Sequence, residues 1–210
     1  MGESLSTKIE TIKVCHALLQ NPNFFSLLLQ IDAHEAAQLQ SQQCSCGAVL
    51  HKADYPRKPR GCPPELRPDF ETRFSFCCSQ CRKRTTAVSV RFLGRRLYLG
   101  LIVVLMSVRR TTLSAQAVQL ADALGVPART ISRWRHWWLQ VFPTTPLWAA
   151  ACARFMPSVD TLCLPTSLIE RFTGPAAEAA MRLLAFLRPL SVRPSDHLMR
   201  GSLISRRGCQ

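Results

Sequence analysis

Hydrophobic residues recur with two different periods along the chain, and the change of period divides it. Leu5, Ile9, Ile12 and Leu19 follow a near-helical spacing that Asn21-Pro22-Asn23 interrupts. Phe24–Leu39 predicts a second helical segment, with Phe24, Phe25, Leu28, Ile31 and Leu39 available to apolar faces. Its Asp32, His34 and Glu35 are expected to face water or to cap. From Arg73 the pattern changes. Arg73–Cys77 and Thr85–Phe92 are rich in β-favouring residues and predict a hairpin whose turn is Cys78–Cys81. The helical period then returns over Gly94–Val108, Ser114–Leu124 and Ala128–Gln140, with breaks at Arg109–Thr112 and Gly125. After Pro143 the pattern loosens, because Pro143, Pro146, Pro157, Pro165 and Pro175 chop the chain. Pro175–Leu187 is the best late helix candidate, and Ser191–Gln210 reads as a loose, basic end.

These elements predict an α+β chain in four parts: a helical lead-in over 1–43, a small β module over 44–93, a trihelical unit over 94–142 and a Pro-punctuated, partly disordered helical tail over 143–210. Leu97–Val108 is strongly apolar but far shorter than the roughly 20 residues a bilayer span needs, so a buried helix is expected and no membrane partner. Met1–Gln20 lacks the make-up of a signal peptide, which points to a reducing cytoplasm. Ten cysteines in such a compartment are expected to bind metal rather than form disulfides.

Two cysteine pairs stand out, Cys44-x-Cys46 and Cys78-x-x-Cys81. Together they offer four thiolates, the donor set of a structural zinc ion, and Gly47 suits the turn after the first pair. Cys44-x-Cys46 is one residue shorter than the usual pair. The 31 residues between Cys46 and Cys78 exceed the roughly 15–20 of a typical site. Cys77 could replace Cys78, His51 could replace Cys44, and Cys62 reads as a bystander. Four thiolates would fill the coordination sphere and leave no place for a catalytic water, so the expected role is structural.

The charge is concentrated around this module. The net charge is +14, and between His51 and Arg110 fourteen Lys and Arg stand against Asp54, Glu65, Asp69 and Glu71. Such a concentration implies a polyanionic partner, with nucleic acid the commonest. Tyr55–Pro68 holds five prolines and predicts a stiff, extended loop, whose Arg57, Lys58 and Arg60 are expected to contact phosphates.

Ala117–His136 fits the helix-turn-helix frame. Gly125 takes the turn and Ala121 the small position, and Leu120, Leu124, Val126, Ile131 and Trp134 lock the helices together. Leu97–Met106 would pack beneath the pair. The second helix is expected to expose Arg129, Thr130, Ser132, Arg133 and His136. Arg129, Thr130 and Arg133 are the expected base readers, and Arg135 and His136 are expected to touch phosphate or pack. Trp134, Trp137 and Trp138 read as core.

Cys44/Cys46, the run Phe76-Cys77-Cys78-Ser79-Gln80-Cys81-Arg82-Lys83-Arg84-Thr85-Thr86, and Ala121–Trp138 together resemble the zinc-ribbon and helix-turn-helix DNA-binding region of insertion-sequence transposases. The chain is also similar there to small proteins of that build associated with mobile elements. The resemblance covers roughly Cys44–Gln140 and implies recognition of a specific double-stranded DNA site, with homodimerisation an option and the nucleoid as location. It does not imply catalysis. The 70 residues after Gln140 carry only Asp160, Glu170, Glu178 and Asp196 as acids and no run of alternating strands. A catalytic carboxylate triad on a sheet is therefore not expected, and an accessory, truncated or regulatory protein is. The alternatives are an RNA-binding zinc-ribbon protein and a non-enzymatic scaffold for an acidic partner.

Overall fold

The computed structural model describes residues 21–57, 59, 62, 64–93, 98–100 and 124–192, with Leu18, Ile102, Val104, Ala121 and Asp122. The helix expected over Leu5–Leu19, most of those over 94–108 and 114–124, the cations Lys58 and Arg60, and most of the terminal stretch 191–210 lie outside the described residues. The mixture of helices and small antiparallel sheets is α+β. The chain divides into two compact units. One comprises Met1–Leu28 with Leu101–Leu184, and the other Leu29–Gly100 with Ala185–Gln210.

The helix α1 (Pro22–Ser41) starts where Asn21 accepts hydrogen bonds from the Asn23 and Phe24 N–H groups, and the second unit is built on its part from Leu29 onward. Three strands follow in the order β1 (Leu50–Lys52), β4 (Ser75–Cys78), β5 (Arg84–Thr86), all antiparallel. Their register pairs Leu50 with Cys78, His51 with Cys77, and Cys77 in turn with Arg84. Alternation therefore puts Leu50, Phe76 and Cys78 on one face, buried with Ala36 and Leu39 of α1 and with Ala48 and Ala87. His51, Cys77 and Arg84 fall on the other face. Two smaller pairings complete the β structure: β2 (Tyr55–Pro56) with β3 (Thr72–Arg73), and β6 (Phe92–Leu93) with β7 (Tyr98–Leu99).

The Pro-rich segment is more regular than its composition suggests. Pro56 ends an edge strand, where no ladder hydrogen bond is asked of it. Pro64–Leu66 forms a 3₁₀ turn that leads into the short helix α2 (Arg67–Phe70), with Pro68 in its first turn. Tyr98–Leu99 is likewise strand where a helix is expected, because it pairs with Phe92–Leu93.

Asp32 is buried on α1, not exposed or capping as its sequence surroundings suggest. Its carboxylate accepts from the Ser89 hydroxyl, from the Val90 N–H at 2.8 Å and from Arg91 Nε at 2.7 Å. Arg91 is buried too, and it also donates to the carbonyls of Asp69 (2.7 Å) and Thr72 (3.2 Å). The rings of Phe70, Phe74 and Phe92 surround its guanidinium with centroids at 5.4, 4.8 and 5.0 Å. This pair ties α1, α2 and the strand region together. A 3₁₀ turn at Arg188–Ser191 closes the unit: Ser191 accepts from the Ser89 N–H (2.9 Å) and from buried Arg73 (3.3 Å), and Arg188 pairs with Glu35.

In the first unit, a helix end at Ala121–Asp122 leads through Leu124-Gly125 into α3 (Ala128–His136). The helix then widens into a π turn over Trp137–Val141, where an all-α segment to Gln140 is expected. The prolines that follow start helices as well as stopping them. Pro146 sits in the first turn of α4 (Pro146–Ala151), capped by the Thr145 hydroxyl, which accepts from the Trp148 N–H. The short α5 (Thr166–Ile169) and the longer α6 (Ala176–Leu187) complete the order, the latter as the sequence predicts. Packing centres on a chain of rings in which Trp138, Phe142, Trp148, Phe155 and Phe172 touch in turn. Trp134 and Trp138 are buried, as expected of core residues.

Candidate metal centre and basic helix

Cys44, Cys46, Cys78 and Cys81 converge, their sulfurs all within 4.8 Å of one another. Cys44 Sγ lies 3.6 Å from Cys81 Sγ, and Cys46 Sγ lies 3.4 Å from Cys78 Sγ. A disulfide needs about 2.05 Å, whereas four sulfurs at about 2.3 Å from one tetrahedral ion sit about 3.8 Å apart. The cluster has the size of a single-ion site and can hold a metal ion.

Local backbone chemistry explains how so short a first pair succeeds. The Gly47 N–H bonds the Cys44 carbonyl (2.8 Å), and the Cys44 N–H bonds the Ala48 carbonyl (2.9 Å). Gly47 closes this turn at φ +84°, a conformation glycine takes without strain. The second pair rides on the β4–β5 hairpin. The Cys78 N–H bonds the Lys83 carbonyl (3.1 Å), and the Ser79 N–H bonds the Val49 carbonyl (3.1 Å), bringing the two turns side by side. The open choices among ligands resolve by strand alternation. Cys78 shares its face with the core, while Cys77 points the other way and donates to the Arg82 carbonyl (3.5 Å). His51 lies opposite Cys77, on that same far face. Cys62 is buried apart from the cluster, and burial pushes its thiol up to about 11.

The four sulfurs do not titrate alike. Burial opposes charge on Cys78, but the backbone N–H groups of Cys81 and Gln80 and the Cys46 thiol outweigh it and bring the Cys78 thiol down to about 6. The Cys46 backbone N–H holds the Cys44 thiol below its ordinary value. The Lys83 N–H favours a Cys81 thiolate, yet the Cys78 and Cys44 sulfurs beside it push that thiol up to about 12. Amide donors thus support thiolates that repel one another. A divalent cation removes the repulsion.

The second candidate feature is the turn into α3. The Gly125 N–H bonds the Asp122 carbonyl (3.0 Å) and the Val126 N–H bonds the Ala121 carbonyl (2.8 Å), while Gly125 stands at φ +62°. This is the paired hydrogen-bond pattern of a glycine C-cap, and Ala121 and Val126, at the positions of its apolar contact, are both buried. Pro127, extended at its φ and ψ, starts α3. Thr130, Ile131 and Trp134 are buried, while Arg129, Ser132, Arg133 and His136 are exposed and Arg135 is half-buried. Thr130 is therefore not on the outer face, contrary to the expectation. Its position in the helix turns it inward beside Ile131, and its hydroxyl accepts from Arg133 at 3.2 Å. Arg57 is half-buried, its guanidinium 4.3 Å from the Tyr55 ring centroid.

No protein-family model, curated protein or solved structure matches the chain. Among the described residues, no helix is long and apolar enough to cross a membrane. A four-cysteine site able to hold a metal, joined in one α+β chain to a helix with a basic outer face, is what the residues establish.

Proposed function

We propose that the chain is a sequence-specific, double-stranded-DNA-binding protein in which Cys44, Cys46, Cys78 and Cys81 hold a structural zinc ion. One observation carries the reading. Apart from Ala128 at its start, the exposed side chains of α3 fall at positions 129, 132, 133 and 136, a single helical stripe of Arg, Ser, Arg and His with no acid on the helix. Such a stripe matches what a major groove offers: arginine donates two hydrogen bonds to guanine, and serine reaches a base edge or a phosphate. Residues near the start of a recognition helix approach bases, so Arg129, Ser132 and Arg133 are the base readers of this account. Arg135 and His136, a turn later, serve phosphates. Buried Thr130 positions Arg133 instead of touching DNA.

Zinc suits the other feature because four thiolates gathered around one small volume are its preferred structural donors. Such an ion would fill its coordination sphere with protein sulfur, so the proposed role is a binding protein and not an enzyme. The combination supports kinship in build with the DNA-binding regions of transposases, in an accessory, truncated or regulatory role.

The test is selection from a pool of random-sequence duplexes by the zinc-loaded chain. The reading expects a recovered consensus of a few base pairs. Recovery of duplexes without any shared sequence would sink it.

A further inference from the structure

The hairpin that supplies Cys78 and Cys81 also carries three consecutive cations, Arg82, Lys83 and Arg84, all exposed. Their placement follows from the metal site. Arg82 stands at φ +58°, the only non-glycine residue with positive φ among those described, and its carbonyl accepts from the Cys77 thiol. The Lys83 N–H supports the Cys81 sulfur, and the Lys83 carbonyl accepts from the Cys78 N–H. The backbone that turns around the sulfurs therefore fixes where these three side chains leave the surface.

The next residue extends the cationic surface across the sheet. Arg84 lies on the face opposite the core, where its guanidinium donates to Ser75 Oγ (3.4 Å) and stands 5.5 Å from the Tyr55 ring centroid. Arg57 stands 4.3 Å from the same ring. Burial raises the Tyr55 hydroxyl, but hydrogen bonds with Arg57 and Thr86 and the charges of Arg57 and Arg73 outweigh it, and the group titrates below its ordinary value. Among the described residues the ion pairs are Lys52–Asp54, Arg91–Asp32 and Arg188–Glu35. None of them neutralises Arg57, Arg82, Lys83 or Arg84. Cations held in fixed positions without carboxylate partners repel one another, and an anion of matching spacing relieves that cost.

We infer that Arg82, Lys83, Arg84 and Arg57 form a second DNA-contacting surface, which binds the phosphates of duplex DNA without reading sequence. This rests on the DNA-binding reading above for its partner and adds to it a division of labour. The stripe on α3 selects the sequence, and the metal-shaped hairpin supplies affinity that depends on salt and not on sequence.

The test uses the full zinc-loaded chain and a random-sequence 30-base-pair duplex, with affinity measured by fluorescence anisotropy across a KCl series. Each phosphate contact contributes about 0.9 to the slope of log K against log salt. The variant Arg82→Asn/Lys83→Gln/Arg84→Gln, with Asn chosen because it tolerates positive φ, should flatten the slope by roughly 2–3. Its preference for a selected duplex over the random one should stay at the wild-type ratio, and its zinc content should not change. Arg84→Gln alone lies outside the tight turn and should flatten the slope by about 0.9, so the inference stays testable if the triple variant loses its metal. An unchanged slope in a zinc-loaded variant overturns the inference, and so does a fall in the preference ratio, which would place these residues at bases. If the wild-type chain selects no sequence at all, the proposed function fails, and the slope still decides whether this surface holds phosphate.

Discussion

Replacing Asp32 with alanine should be among the most damaging single changes in the second unit. Asp32 and Arg91 are both out of solvent, at 1% and 1% exposure, and they meet at 2.7 Å. Truncation removes the charge paired with Arg91 and strips the acceptor from the Val90 N–H and the Ser89 hydroxyl. Breaking a buried pair in this way costs about 3–5 kcal/mol, because a guanidinium stays buried without its counter-charge. That is a large part of the roughly 5–15 kcal/mol that holds a domain together. With a urea m-value of about 2 kcal/mol/M, the midpoint should fall by about 1.5–2.5 M. Far-UV circular dichroism with zinc present in every sample is the assay. The four tryptophans (Trp134, Trp137, Trp138 and Trp148) all belong to the other unit, so backbone ellipticity is the readout chosen for this one. The double variant Asp32→Leu/Arg91→Met removes both charges and should recover at least about half of the loss, as replaced buried pairs do elsewhere. A cost below about 1 kcal/mol for Asp32→Ala, or a double variant as unstable as the two singles combined, would refute the reasoning.

Other outcomes follow from single residues. Gly125→Ala meets no atom within 4 Å, so its cost of about 1–2 kcal/mol should come from the backbone at φ +62° alone; Gly125→Asn should cost less, and equal thermal shifts for the two would contradict this. Cys62 should resist a thiol reagent at pH 8 until the chain unfolds, because burial holds its thiol near 11. The linkage has a definite sign: the unfolded thiol loses its proton near pH 9 and the folded one near 11, so this contribution to stability is full below 9 and is lost between 9 and 11. Cys81→Ser should abolish zinc retention, measured as metal per chain after gel filtration, whereas Cys77→Ser should leave it at about one; equal retention in both would break the ligand assignment.

The cysteine site was legible because its chemistry is written in spacing. Two close pairs announce themselves, and the choice of Cys78 over Cys77 needs only the alternation of a strand. The glycine turn before α3 was legible for a similar reason, since Gly125, Ala121 and Val126 stand at fixed short intervals. What escaped is non-local. Asp32 lies beside His34 and Glu35 in a stretch that looks like a solvated helix face, and its partner Arg91 stands 59 residues away. Nothing near either residue signals that they will be buried together. Thr130 escaped more narrowly: a hydroxyl beside Ile131 and Trp134 turns inward once Arg133 satisfies it. The prolines of 143–175 read as breakers, yet Pro146 starts a helix, because Thr145 supplies the cap that makes the first turn favourable.

The most direct test of the account is the affinity of the zinc-loaded chain for a selected duplex relative to a scrambled duplex of equal length, at one fixed salt concentration, for the wild type and for Arg133→Ala. If α3 reads bases, the wild type should prefer its selected site by roughly 10³-fold or more. Arg133→Ala should then lose about 1–3 kcal/mol on that site and much less on the scrambled one. A wild-type ratio near one, or an equal loss on both duplexes, would contradict the claim that this helix recognises sequence.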